Sequence, residues 1–357
     1  MKQYIIVISV ALCLVSCSHR SKHWETLAQV ESYIEERPDS ALNVLQGMDK
    51  GELSGKEEKA KHALLLSMAM DKNYIDRTDF DVLQPAIDFY EDHGSATDKL
   101  RTYYYQGRIY QNAGNDAAAM ESFVNSLDMG SESNDNLTKA RILVAQSNIY
   151  YSLMKWEKVC DVNIEAANYY NELGRTNNYV YCLLRCIGGY IQSNNFDKAK
   201  DLLGKCYQYT ENLPELLISE IYSYHLLYSV AANNFESVPL IIGEYKNKVS
   251  EENIDYLTVA GAYADIGAYD KAEDMLVRIN TKSLEDNNKT LKYYTTLIRI
   301  YRHKGDYRKV YESYLKFNEL NDSILFSIFE SDTQFIEERH ALEMQKAKET
   351  EAKNRLT

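Results

Sequence analysis

Between Tyr103 and Leu315 the apolar positions repeat. The stretches YYYQGRIYQNAGNDAAAMESF, ILVAQSNIYYSLMKWEKVCDV, CLLRCIGGYIQSNNFDKAKDL, TVAGAYADIGAYDKAEDML and TTLIRIYRHKGDYRKVYESYL each hold an aromatic, a turn a few residues later, and a second apolar helix. Their anchoring tyrosines, Tyr110, Tyr150, Tyr190, Tyr263 and Tyr301, are 40, 40, 73 and 38 residues apart, and YSVAANNFESVPLII around Ser229 fills the double step. Recurrence at one internal position predicts that these tyrosines are core. Upstream, Trp24 to Met48, Lys56 to Ile75 and Asp79 to Gly94 read as further helices, with Pro38 at a start and Pro85 either kinking its helix or marking its first turn. No strand alternation interrupts the series. From Asp322 the pattern changes: Ile328, Phe335 and Leu342 follow at intervals of seven, then apolar residues nearly vanish beyond Glu343, leaving a stretch that favours helix but has nothing to pack, a solvated stalk or a frayed end.

The repeat resembles the tetratricopeptide repeat. Tyr103, Gly107, Tyr110, Gly114, Ala119 and Phe123 fall on that family's positions, as do Tyr263, Gly267, Tyr269 and Ala272, while Gln106 stands where a leucine is expected. The resemblance implies an all-α fold, a right-handed α-solenoid of helix pairs closed by a long C-terminal helix. Small residues at Gly107 and Ala119 would let two backbones approach; Gly114 would release the turn.

The amino terminus is built differently. Lys2 precedes Tyr4 to Ser16, an uncharged run too short to span a membrane, which fits a secretory signal. Leu14-Val15-Ser16-Cys17 further resembles a bacterial lipobox, in which the cysteine becomes the acylated first residue. Cys17 is then a lipid attachment point, giving a chain anchored to a membrane of the cell envelope and facing the periplasm. The expected organisation is a signal peptide over 1–16, a lipidated linker over 17–23, one repeat domain over 24–320 and a C-terminal helix over 321–357.

Composition and chemistry narrow the function. The formal net charge is −13, opposite to the basic footprint of a nucleic-acid binder. Cys160, Cys182, Cys186 and Cys206 match no zinc spacing and read as small buried helix residues or one disulfide. No catalytic or nucleotide-binding motif is present, so no catalytic residue, metal ligand or cofactor is assigned and the chain reads as a non-enzyme. His225, inside an apolar helix, reads as a satisfied core residue. Asp39-Ser40 and Asp322-Ser323 resemble an O-glycosylation sequon of Bacteroidetes and also look like helix caps.

In tetratricopeptide proteins the first helix of each pair lines the binding face. The register places Arg101, Tyr104, Arg108 and Asn112 there, then Arg141, Asn148 and Tyr151, and Lys292, Arg299, Arg302 and His303 near the end. Arginines among amides and phenols suit a peptide carboxylate or an acidic segment, against the simpler reading of a solvated face with internal ion pairs. With ERPDSALNVLQGM, KEEKAKHALLLSMAMDKNYI and the tail from NDSI, the chain resembles the extracytoplasmic part of membrane-bound tetratricopeptide regulators of Bacteroidetes. That resemblance implies an envelope scaffold that binds a protein or peptide in signalling or regulation. The alternative is a SusD-like glycan-binding lipoprotein. The sequence does not fix the oligomeric state.

Overall fold

The structure is a computed structural model that describes residues 22–279, 284 and 287–330. Every regular element among the described residues is a helix, α or short 3-10, with no strand. Fifteen α-helices lie between Lys22 and Lys304, and a sixteenth covers residues 307–330. Contacts gather into two compact units, Met1–Asn134 and Asp135–Thr357. Cys17, Phe335 and Leu342 lie outside the described residues. Among the described residues no helix is long and apolar enough to cross a membrane.

The first unit holds α1 (Lys22–Tyr33), α2 (Pro38–Gln46), α3 (Gly55–Lys72), α4 (Gln84–Tyr90), α5 (Ala96–Asn112) and α6 (Asp116–Met129). The second holds α7 (Asn136–Ser152), α8 (Trp156–Glu172), α9 (Thr176–Gln192), α10 (Phe196–Tyr207), α11 (Glu215–Ala231), α12 (Val238–Lys248), α13 (Tyr256–Asp265), α14 (Tyr269–Leu276), α15 (Asn287–Lys304) and α16 (residues 307–330). Helix starts follow local chemistry. Ser95 and Asp98 close a capping box on α5, and Asn115, Asp135 and Asp255 accept from the third residue of the helices they precede. Pro38, Pro85 and Pro239 occupy first turns, where a missing N–H costs nothing, so Pro85 opens α4 and does not kink it. Asp39 also sits in the first turn of α2, yet no side chain caps that helix. Asp322 lies inside α16, which starts upstream at residue 307, so the helix start expected there is absent.

One turn recurs at the helix ends. The carbonyl of Tyr110 accepts from Asn115 N–H at 2.9 Å, Tyr150 from Lys155 at 2.8 Å, Tyr190 from Asn195 at 2.7 Å, Tyr263 from Ala268 at 2.8 Å and Tyr301 from Asp306 at 3.0 Å. Between acceptor and donor sits a left-handed residue: Gly114, Met154, Asn194, Gly267 and Gly305, with φ of 77°, 53°, 55°, 77° and 72°. Each pair is a Schellman turn. The tyrosine rings differ from expectation, since only Tyr263 is buried and the other four are half-buried. The half-buried phenols reach the rim at the helix end, and over three of the five rings lies a lysine eight residues on: Lys198 over Tyr190 at 5.2 Å, Lys271 over the buried Tyr263 at 5.7 Å and Lys309 over Tyr301 at 4.9 Å.

Small residues set the helix contacts. A Cβ on Gly107 would lie 2.4 Å from Phe123 Cε1, and one on Gly189 would lie 2.7 Å from Cys160 Sγ, so α5 meets α6 and α8 meets α9 at van der Waals limits. All four described cysteines are buried and free. Cys160 and Cys186 donate to each other's carbonyls at 3.5 and 3.6 Å.

Candidate functional site

The first helices of successive pairs carry the residues singled out in the sequence, and each unit presents its own set. In the first unit the arginines already hold carboxylates. Arg101 donates to Glu31 Oε1 of α1 at 2.7 Å, and Lys61 of α3 bridges the same Glu31 at 2.8 Å and Asp98 at 3.2 Å. Burial pushes the Asp98 carboxyl up, but Lys61 and Ser95 outweigh it and hold the group below the usual carboxylate range. Arg108 donates to Asp71 at 3.0 Å and to Gln111 at 2.6 Å, and Asn112 donates to the Arg77 carbonyl at 3.1 Å. Tyr104 is buried, 6% exposed, and packs edge-on against Tyr105, so it is a core ring and not an outward-looking one.

A cleft between α3 and α5 runs beside Arg108 and Asn112, with Met70, Ile75, Val82 and Ile109 as its apolar wall. Its space, continuous with solvent, is about 320 Å³, of which about 20 Å³ admits the centre of a water molecule. That is roughly one water. Ser67 Oγ and Arg77 Nε, both on residues lining the cleft, are buried without a hydrogen-bond partner. The cleft therefore suits one water or one side-chain tip and excludes a larger buried ligand.

The second unit is arranged differently. On α7, Asn148 and Tyr151 are exposed and Arg141 is half-buried. Arg185 on α9 lays its guanidinium over the Tyr151 ring at 4.3 Å and donates to Asn148 Oδ1 at 3.3 Å. Trp156 also packs edge-on against the Tyr151 ring, at 5.3 Å. Next along, α11 contributes Tyr224, whose ring fills the space a Cβ on Gly188 would need, at 3.1 Å. Burial, with Tyr151, Glu220 and Tyr181 nearby, pushes the Tyr224 phenol up to about 12. Burial also raises the Glu220 carboxyl, partly offset by Arg185. Three first helices thus converge on a guanidinium stacked on a phenol, with Asn148 accepting from it and Tyr181 exposed on the same helix.

Sequence reasoning found Asn148 and Tyr151 but missed Arg185, Tyr181, Glu220 and Tyr224. A lone arginine inside the apolar run CLLRCIGGY was the available signal. Toward the end, Lys292 donates to Thr258 Oγ1 at 2.8 Å, Arg299 pairs with Asp265, and His303 stacks on Tyr269 at 4.4 Å. Burial lowers the Lys292 ammonium below its ordinary value despite Asp255 and Asp265 nearby. His225 bonds to the Tyr207 hydroxyl at 2.8 Å. Among the described residues no three or more His, Cys, Asp or Glu side chains gather in a way that could hold a metal ion.

No protein-family model matches the chain, and no curated protein matches it in sequence. Solved structures do resemble it. One is a Rap protein complexed with competence and sporulation factor, at 15% identity over 94% of this chain and 96% of that one, with a TM-score of 0.54. Another is the apo form of RapI, at 14% identity over 85% of this chain and 98% of that one, with a TM-score of 0.57. At such identities the likeness is one of fold, and with the helix pairs described above it makes the chain an α-solenoid of tetratricopeptide-like repeats.

Proposed function

We propose that the chain is a non-catalytic scaffold that binds a protein or peptide on the first-helix face of its second unit, and that a lipid on Cys17 holds it at the cell envelope, facing the periplasm. The observation that carries the binding reading is Arg185, stacked on Tyr151 and held by Asn148. Stacking fixes the guanidinium plane, so little side-chain freedom is lost when a carboxylate arrives, and the paired N–H groups are spaced to receive its two oxygens. Exposed Tyr151 and Tyr181 supply apolar area beside that charge. In the first unit Arg101 and Arg108 are already neutralised by Glu31 and Asp71, so an acidic ligand there would have to displace an internal partner. Its Arg101, Arg108 and Asn112 are assigned a secondary role in the same reading, and Arg141 on α7 flanks the main surface.

The Rap neighbour bound to competence and sporulation factor supports a peptide or protein as the partner class, on likeness of fold alone. The lipobox-like Leu14-Val15-Ser16-Cys17 supports the anchor. The experiment is a pull-down from envelope extract comparing wild type with Arg185→Ala/Tyr151→Ala and with Arg101→Ala/Arg108→Ala at equal melting temperature. Loss of one hydrogen bond to a charged group costs roughly 1.5–3 kcal/mol, or about tenfold to over a hundredfold in affinity. The first pair should lose the partner; equal recovery from wild type and the first pair would refute the assignment.

A further inference from the structure

The end helix of a solenoid usually turns a polar face outward where no further repeat covers it. Helix α16, the last among the described residues, carries apolar side chains on an outward face as well. Val310, Ser313, Phe317, Leu320, Ile324 and Ile328 form its inward stripe, buried or half-buried. About a third of a turn away, at 100° per residue, Tyr307, Tyr311, Tyr314, Leu325 and Phe329 form a second apolar stripe at 75%, 63%, 50%, 53% and 71% exposure, flanked by Leu315 and Phe326. Within each half the spacing is three or four residues, that of a helix meeting another helix, and the polar Asn318 and Asp322 fill the same face between Tyr314 and Leu325.

We propose that this second stripe docks a second copy of the same chain, helix against helix and antiparallel, about a two-fold axis at Asn318. Self-complementarity carries the choice of occupant. Reversing the helix about Asn318 sets Tyr307 opposite Phe329 and Tyr311 opposite Leu325, large apolar against large apolar, and brings Asn318 to its own copy, where amides can pair. Charge agrees. The first half carries Arg308, Lys309 and Lys316 against one acid, Glu312, while the second half carries Glu319, Asp322 and Glu330 with no base. Antiparallel copies lay the basic half on the acidic half; parallel copies lay like on like. An interface in which the same patch serves both partners is what a closed dimer requires.

Area agrees as well. Five aromatic rings, Tyr307, Tyr311, Tyr314, Phe326 and Phe329, each at least half exposed, present together roughly 500–800 Å² at full aromatic areas of about 150–250 Å² each. A standard interface needs about 800 Å² per partner.

Sedimentation equilibrium on the full chain in mild detergent tests it, with Tyr311→Glu/Leu325→Glu and, separately, Tyr307→Glu as disrupting variants. The expected result is a wild-type dimer whose dissociation constant rises at least about thirtyfold in the variants, the scale of losing a hot-spot contact, with circular dichroism unchanged. Orientation is read by mixing a Tyr307→Cys chain with a Phe329→Cys chain under air oxidation, molecular oxygen taking the two thiol hydrogens as one S–S bond forms. Disulfides between 307 and 329 are expected. A monomeric wild type overturns the proposal, as does predominant 307–307 bonding, which marks a parallel pair. So does a chain that dimerises only after truncation at Glu330, which marks its own tail as the cover.

Discussion

Adding one methyl group at Gly107 tests the helix packing where it is tightest. An alanine Cβ there would lie 2.4, 2.6 and 3.0 Å from Cε1, Cδ1 and Cζ of Phe123, a ring with no exposed surface. Ordinary contact begins near 3.4 Å, so the ring must retreat by about 1 Å into a packed core, and overpacking of that kind costs about 1–3 kcal/mol. Alanine in a helix regains about 0.5–1 kcal/mol over glycine, leaving a net loss of about 0.5–2 kcal/mol, and Gly107→Leu should lose more. Gly204 in α10 supplies the control, because a Cβ there meets nothing within 4 Å and its φ is not left-handed. Gly204→Ala should therefore gain stability by about 0.5–1 kcal/mol. Urea unfolding followed by helical circular dichroism reads both, with roughly 2–4 °C of melting temperature per kcal/mol as a cross-check. Phe123→Leu should make Gly107→Ala less costly, as expected for residues in contact. If Gly107→Ala matches or exceeds wild type while Gly204→Ala behaves as expected, the close approach of α5 and α6 is wrong.

Met154 holds a left-handed φ of 53° with its side chain 47% exposed. Relief of about 1–2 kcal/mol of strain against about 0.5–1 kcal/mol of glycine entropy makes Met154→Gly stabilising by about 0.5–1 kcal/mol in thermal unfolding. His62 is 3% exposed and bonds to the Leu45 carbonyl at 2.9 Å; burial lowers its pKa below 6.5. The unfolded chain then takes up a proton that the folded one refuses, so stability should fall as pH drops below about 6.5. His62→Gln should flatten that slope between pH 6.5 and 5 in a urea series. Replacing Cys17 with alanine should release the protein from the membrane fraction; unchanged fractionation and processing would refute the lipid anchor.

The repeat was legible because aromatic, turn and apolar helix recur together, and the positive φ values at Gly114, Gly267 and Gly305 follow from glycine itself. Met154 and Asn194 adopt the same geometry with different side chains, so their turns were readable only from the register of the repeat. Tyr104 was misplaced because three consecutive tyrosines, Tyr103 to Tyr105, give no periodic signal of which ring turns inward. The helix start expected at Asp322 misled because an Asp-Ser pair looks the same at a cap and on the exposed side of a continuing helix. Arg185 escaped notice because its role depends on Tyr151, 34 residues earlier, and such pairings appear only when first helices lie side by side. Ion pairs Arg101–Glu31 and Arg108–Asp71 were hidden for the same reason.

The central claim is that a partner docks on the first-helix face of the second unit, and a photocrosslinking amino acid tests it in cells. Placed at Tyr181, 37% exposed on α9, the probe should capture one protein or peptide on illumination, and Arg185→Ala should abolish the capture. Placed at Leu240, 72% exposed on the second helix α12, it should capture none of that partner. The opposite pattern, with capture at Leu240 and none at Tyr181, or capture at Tyr181 indifferent to Arg185, would contradict the account.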